Sequence, residues 1–314
     1  MKLLITGCAG FIGANFAEYI LNNYNQDSIV GVDCLTYAAN SNVLSELVKH
    51  PNFTFYKQDI CDIVAMESVF SKERPDVVVN FAAESHVDRS IENSEVFLRT
   101  NVIGTGVLLD MAKKYSVKRF HQVSTDEVYG DLPIDSDFRF NENSPLNPSS
   151  PYSSSKASAD LLALSYMKTH NLPVSISRSS NNYGKYQHTE KFIPMIINRI
   201  RSDKPITVYG DGTNMRDWLF VLDNCRAIDL IIRAGKCEVY NIGADNQISN
   251  IDLVNKIISL AERPDAEIEF VTDRKCHDRK YAVNIDKISS LGWKPEANFE
   301  TELKNTVKWY INQH

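Results

Sequence analysis

The sequence predicts an α/β fold: a doubly wound parallel sheet followed by a smaller C-terminal α+β lobe. Three observations carry this. Up to Ser180, short apolar runs alternate with longer helical stretches. A glycine triplet stands between the first apolar run and the first helical stretch. The residues just past the apolar runs, among them Gly7, Asp33, Asp59, Ala82 to His86 and Ser124 to Glu127, are mostly small or polar. In such folds ligands bind beyond the carboxyl ends of the strands.

The elements follow in order. Strands are predicted at Lys2–Thr6, Ser28–Val32, Phe53–Lys57, Val77–Phe81, Arg119–Val123 and Val174–Ser177. Helices are predicted at Gly10–Asn23, Asn42–Lys49, Val64–Ser71, Glu95–Tyr115 and Ser153–Thr169. This alternation calls for right-handed crossovers and a sheet covered on both faces. Beyond Asn182 the texture changes. A helix is expected at Phe192–Arg201, a short strand at Thr207–Tyr209 and a turn at Gly210-Asp211-Gly212. A helix near Asp223–Ala234 and a strand at Val239–Ile242 are expected to return to the main sheet. Asn250–Ala261 reads as an amphipathic helix with Asn250 as its cap, and Glu300–Asn312 as the last helix. The division expected is 1–180 for a dinucleotide-binding domain with a return segment at 217–245, and 181–216 with 246–314 for a substrate lobe.

Composition narrows the function. The chain has 314 residues, 43% hydrophobic and 24% charged, with a net charge of -6. That acidic balance leaves no electrostatic footprint for nucleic acid, so bound phosphate must be held by local cations and amides. Six cysteines and seven histidines show no metal-ligand spacing, so no metal is expected. The chain opens directly into a strand, and no stretch approaches the ~18 apolar residues of a membrane span. A cytoplasmic protein without a membrane partner is the expectation.

Gly7, Gly10 and Gly13 bracket Phe11 and Ile12 in G-x-x-G-x-x-G spacing. Glycines let backbone approach a diphosphate, and the helix N-terminus behind them supplies free N–H groups. A plain structural turn would use the same glycines. Asp33, after the second strand, can accept from both ribose hydroxyls and repels a 2′-phosphate, which favours NAD over NADP. Asp59 and Ile60, after the third strand, either border the adenine or cap a helix.

Two further motifs carry chemistry. Tyr152 and Lys156 lie one helical turn apart, where an ammonium can favour a phenolate. Asp126 and Glu127 follow Thr125 at the mouth of the fifth strand. Two carboxylates in one pocket push their titrations apart, so that one serves as acid and the other as base. An exposed acidic pair in a loop is the plain alternative. Thr125 is placed to bond a sugar hydroxyl beside Tyr152, or to serve as an ordinary strand-end cap.

Gly7 to Gly13, Ala82 to Ser90, Ser124 to Gly130 and Tyr152 to Lys156 together resemble the extended short-chain dehydrogenase/reductases, which have a Rossmann fold. More narrowly they resemble the nucleotide-diphosphate-glucose 4,6-dehydratases. The likeness continues through Ser180 to Gly184, Glu190-Lys191, Val208 to Gly212, Arg216 to Trp218 and His277 to Ala282. It implies a lyase that oxidises a sugar at C4, eliminates water across C5–C6 and reduces C6, with bound NAD. Tyr152 would act at O4, Glu127 as base at C5 and Asp126 as acid at the C6 oxygen, with Thr125 and Lys156 completing the catalytic set. The resemblance implies cofactor contacts at Gly7, Gly10, Phe11, Ile12, Gly13, Asp33, Leu35, Thr36, Asp59 and Ile60. It adds Ala82, Ala83, Ser85, Thr100, Tyr152, Lys156 and Asn182. For a sugar-nucleotide substrate it implies Ser85, Thr125, Asn181, Lys191, Phe192, Thr207, Val208, Tyr209, Arg216 and Asn250. Asp273 and His277 would close over that substrate.

Lys185, His188-Thr189, Thr207 and Lys275-Cys276 depart from the family pattern in segments expected around the nucleotide. They leave open whether it is dTDP or UDP. The resemblance also implies a homodimer through a four-helix bundle of Asn101–Tyr115 and Ser153–Thr169. Val102, Val107, Leu108, Leu161 and Leu164 give those helices broad apolar faces, which burial within one subunit would equally explain. A 4-epimerase or decarboxylase on the same fold, or a silent NAD- or sugar-nucleotide-binding protein, are the competing readings.

Overall fold

The computed structural model describes residues 1–313. The sheet is built from β1 (Lys2–Thr6), β2 (Ser28–Asp33), β3 (Phe53–Lys57), β4 (Val77–Asn80), β5 (Arg119–Thr125) and β6 (Val174–Ser179). Leu3, Leu4 and Ile5 of β1 are all fully buried, as a central parallel strand requires. Leu3 and Ile5 face one apolar cluster with Phe16 and Ile20 of α1 (Phe11–Asn23). Leu4 faces the other, with Phe70 of α3 (Ile63–Glu73). The short α2 (Ser41–Leu47) packs on α1 and is capped by Asn40, whose side chain accepts from the amides of Asn42 and Val43.

After β4 come α4 (Val87–Glu92) and α5 (Glu95–Phe97). A π-helical stretch, Leu98–Gly104, then leads into α6 (Thr105–Lys114). The single helix predicted over Glu95–Tyr115 is therefore widened at its middle. There Asn101 turns inward, bonding Glu84 backbone on one side and the Ser155 hydroxyl on the other. Helix α7 (Pro151–His170) starts two residues before the predicted Ser153, because Ser150 and Ser153 form a reciprocal capping box with Pro151 at the first position. Tyr152 consequently sits in the first turn of that helix.

The remaining elements are β7 (Asn181–Tyr183), α8 (Phe192–Arg201), β8 (Ile206–Tyr209), β9 (Met215–Phe220), α9 (Val221–Ala234) and β10 (Val239–Ile242). They are followed by β11 (Gln247–Ser249), α10 (Asn250–Leu260), β12 (Ile268–Val271), α11 (Asp286–Ser289) and α12 (Phe299–Ile311). Helix α9 packs back on α1, and β10 pairs parallel with β6. The main sheet thus runs β10-β6-β5-β4-β1-β2-β3, with all pairs parallel. The order reverses between β1 and β4, which opens the crevice where such sheets bind ligands. A separate core joins Ile196, Ile197 and Ile200 of α8 to Leu253, Val254 and Ile257 of α10 and Leu303 and Val307 of α12.

One expectation needs correction. Asn250 does not cap α10; Ser249 does, its hydroxyl accepting from the Asp252 amide at 3.1 Å, and Asn250 is the first helical residue. Burial within the subunit accounts for Val107 and Leu108, whereas Leu161 is 58% exposed.

Candidate active site

A cavity of about 590 Å³ runs from the glycine loop across the ends of β4 and β5 to the second core. At its sheet end the loop is shaped by close backbone approach. Gly7 has φ +67°, and a Cβ there would lie 2.8 Å from the Ala82 nitrogen. Gly10 precedes α1 with no side-chain cap, so the first-turn amides stay free for an anion. Asp33 stands behind the loop and braces it, accepting from the Leu35 amide at 2.8 Å and the Ala9 amide at 3.0 Å.

The candidate catalytic groups gather at the end of β5. Thr125 caps the 3-10 turn Asp126–Tyr129, its hydroxyl accepting from the Glu127 amide at 3.3 Å and donating to Asp126 Oδ1 at 3.4 Å. Asp126 is 3% exposed, and its Oδ2 has no partner among the described residues. Burial, then the charges of Glu127 and Asp217, push its carboxyl well above the usual range. Glu127 lies on the cavity wall. Burial raises it too, but Lys191 and Arg216 oppose the rise. The neighbours are therefore unequal: Asp126 is biased to the neutral acid, and Glu127 is held nearer its ionised form.

Tyr152 and Lys156 enter from α7. The Lys156 ammonium donates to the Val123 carbonyl at 2.6 Å, and burial lowers it to about 8. Tyr152 is raised by burial first and then by the Glu127 charge, with a hydrogen bond to Thr125 opposing. The lowering of Tyr152 by Lys156 expected from their spacing is not what dominates in the chain alone. Desolvation outweighs it.

Cations line the far side. Lys191 Nζ donates to the Ser85 carbonyl at 2.5 Å, and Arg216 donates to the Asp278 carbonyl at 2.8 Å while stacking on Tyr281. Arg274 reaches Asp88 and lies over Tyr209. Buried Asn181 Oδ1, His86 Nδ1 and Trp218 Nε1 in the cavity wall have no partners among the described residues. Convergent cations beside unsatisfied polar atoms suit a polyanionic, hydroxyl-rich ligand.

Most predicted site residues meet here. Gly7, Gly10, Phe11, Ile12, Gly13, Ala83, Ser85, Thr125, Glu127, Tyr152, Lys156, Asn181 and Asn182 all line the cavity. So do Lys191, Phe192, Thr207, Tyr209, Arg216, Asn250 and His277. Asp33, Leu35, Thr36, Asp59, Ala82, Thr100, Asp126 and Asp273 stand outside its lining. Asp59 accepts from the Cys61 amide, and Asp273 meets His277 at 2.6 Å. Val208 and Ile60 also stand outside the lining, their side chains buried in apolar cores, Val208 because alternate residues of β8 face opposite ways. Tyr37, His86, Arg274 and Tyr281 line the cavity unforeseen. The first two follow strand ends and were open to that rule, and Tyr281 lies in the matched stretch His277 to Ala282; Arg274 comes from a distant loop with no local signal.

The profile of the GDP-mannose 4,6 dehydratase family matches residues 4–306. The chain belongs to this family. Its relatives within reach include the low-salt glycan biosynthesis protein Agl12 of Haloferax volcanii, 47% identical with 99% of each chain covered. The dTDP-glucose 4,6-dehydratase of Haemophilus influenzae is 45% identical over 99% of this chain and 98% of its own. Among solved structures, the Bacillus anthracis dTDP-glucose 4,6-dehydratase in complex with NAD superposes with a TM-score of 0.92 at 47% identity, covering 100% and 97%. The Thermotoga maritima UDP-glucose 4-epimerase shares the family's scaffold at 29% identity, with a TM-score of 0.91 and 99% of each chain covered.

Proposed function

We infer that this chain is an NAD-dependent 4,6-dehydratase of a nucleoside-diphospho-glucose. One observation carries the reading: at the end of β5, Glu127 beside buried Asp126 lines one cavity together with Thr125 and with Tyr152 and Lys156 of α7. The residues fit the cofactor, since the Gly7–Gly13 cradle leaves no room for a Cβ and presents the uncapped α1 terminus. NAD bound there supplies reversible redox chemistry, oxidising the sugar at C4 and reducing it at C6. Tyr152 takes the O4 proton, with Thr125 beside it. The 4-ketone acidifies C5–H, and Glu127 takes that proton. Asp126 protonates the C6 hydroxyl, which leaves as water. Glu127, its proton exchanged with solvent, then protonates C5. The proton Asp126 loses to water is balanced over the cycle by the one Tyr152 gains from O4.

Lys191 and Arg216 hold the diphosphate, and Thr207, Tyr209 and Asn250 the nucleoside. The domain division is 1–180 with 217–245 for the cofactor, and 181–216 with 246–314 for the substrate. Exposed Leu98, Ile103 and Leu161 support a homodimer through the helices that carry them. A cytoplasmic setting keeps the six thiols reduced. A 4-epimerase has no task at C5 or C6, which leaves the carboxyl pair without work in that reading.

The test is to incubate the protein in heavy water with dTDP-glucose, UDP-glucose and UDP-N-acetylglucosamine separately and follow the sugar by NMR. A 4-keto-6-deoxy product with deuterium at C5 is expected from at least one glucose substrate. Simple C4 inversion, or no turnover with NAD supplied, overturns the reading.

A further inference from the structure

Arg178 is a buried cation that none of these steps uses. It lies on β6 opposite Ser124 of β5, 2% exposed. Its Nε donates to Asp160 Oδ2 at 2.9 Å. Asp160 is fully buried on α7, one turn beyond Lys156. A second arm of the same guanidinium donates to the Tyr129 hydroxyl at 2.9 Å and lies over that ring, 4.9 Å from its centroid. Tyr129 is the last residue of the turn that carries Asp126 and Glu127. Its hydroxyl donates in turn to Asn241 Oδ1 of β10 at 2.7 Å, and its ring stacks on Phe140.

We propose that Arg178 is a positioning residue, a strut that fixes the Asp126–Glu127 pair relative to Tyr152 and Lys156. The inference rests on the dehydratase reading. A planar guanidinium offers directed donors at a fixed angle, so one side chain sets the spacing of two elements. Buried ion pairs are weak sources of net stability, which leaves geometry as what this one supplies. The two ends are not equally dependent on it. Helix α7 runs twenty residues behind a capping box, whereas the four-residue turn is closed by a long 3.3 Å bond from Gly130 to Glu127. Losing the strut loosens the carboxyl pair more than the tyrosine. Water loss is then the step that suffers.

Tyr129→Phe removes only the hydroxyl and keeps the ring stacked. The NAD-loaded protein is mixed with dTDP-glucose or UDP-glucose, whichever the wild type turns over, and followed at 340 nm and by quenched product analysis. Expected is C4 oxidation within a few-fold of wild type and water loss slowed about 10- to 100-fold, the scale of an ångström-size misplacement. The 340 nm signal then accumulates where wild type shows only a transient. Hydrogen–deuterium exchange should quicken in the peptide over 126–130 and stay unchanged over 155–165. Equal slowing of both steps, or unchanged partitioning in a variant of wild-type melting temperature, overturns the strut. If Tyr129→Phe does not fold, Arg178→Lys, which keeps the charge without the fork, is judged by the same two rates. A wild type that makes no 4-keto-6-deoxy sugar sinks the dehydratase reading instead, so the two failures are told apart.

Discussion

Replacing Gly13 with alanine tests the cofactor cradle at its tightest point. The added methyl would lie 2.2 Å from the Gly7 carbonyl oxygen and 2.9 Å from its carbon, where ordinary contact begins at 3.4 Å. The gap must open by 3.4 − 2.2, about 1.2 Å, and backbone stands on both sides. Overpacking of this kind costs about 1–3 kcal/mol. In a chain of this size that lowers Tm by roughly 2–10 °C. Moving the α1 terminus off the loop also weakens its hold on a diphosphate, a contact worth up to ~2 kcal/mol, so Kd for NAD should rise by up to about 30-fold. Thermal unfolding of the NAD-free protein and calorimetric titration with NAD measure both effects. Gly106→Ala is the control. Gly106 lies within α6 and its added methyl would meet only Leu162 of α7, at 3.5 Å, so the substitution should be neutral or slightly stabilising. A Gly13→Ala protein with unchanged Tm and unchanged affinity for NAD would refute the argument that this loop is closed by contact and seats the cofactor.

Three other outcomes are expected. Glu127→Gln should still give a 340 nm rise on mixing with substrate, yet lose C5 deuterium incorporation and slow product formation about 10²–10⁴-fold; normal turnover would remove Glu127 as the C5 base. Asp126→Asn should lose activity on the same scale but melt higher than wild type at pH 8. Because Asp126 is raised in the fold, its ionisation destabilises as pH climbs through that raised value, so the gap between the two proteins should shrink as pH falls toward about 4. Lys156 is lowered in the fold to about 8 from 10.5, so the NAD-free protein should gain stability between pH 8 and 10.5, by up to about 3 kcal/mol. Lys156→Met should flatten that rise, as read by denaturant unfolding across the range.

The six main strands were legible because central parallel strands are buried on both faces and read as apolar runs, as Leu3-Leu4-Ile5 and Val77-Val78-Val79 do. The groups at their ends were legible for the same reason, since a run that stops at Val123 points straight at Thr125, Asp126 and Glu127. Strands β7, β9, β11 and β12 were not. They hold three to six residues each, and β9 carries buried Arg216 and Asp217, which no alternation rule expects inside a strand. The burial of Val208 was legible in hindsight: period two lets Thr207 and Tyr209 face the cavity only if Val208 faces the core. Arg178 was opaque, because its meaning lies in Asp160, Tyr129 and, through Tyr129, Asn241, which only the folded sheet brings together.

The return of β10 to the sheet sets an order of events during synthesis. Asn241 leaves the ribosome 112 residues after the Tyr129 it fastens. At roughly 5–20 residues per second that is an interval of roughly 6–20 s. Strands β1 to β6 and the glycine loop have all been made by then, while β6 remains an open edge able to pair with another chain. The growing protein can therefore seat its dinucleotide before the turn that bears Asp126 and Glu127, the proposed acid and base, is locked. Reactivity arrives last, with the segment that also closes the vulnerable edge.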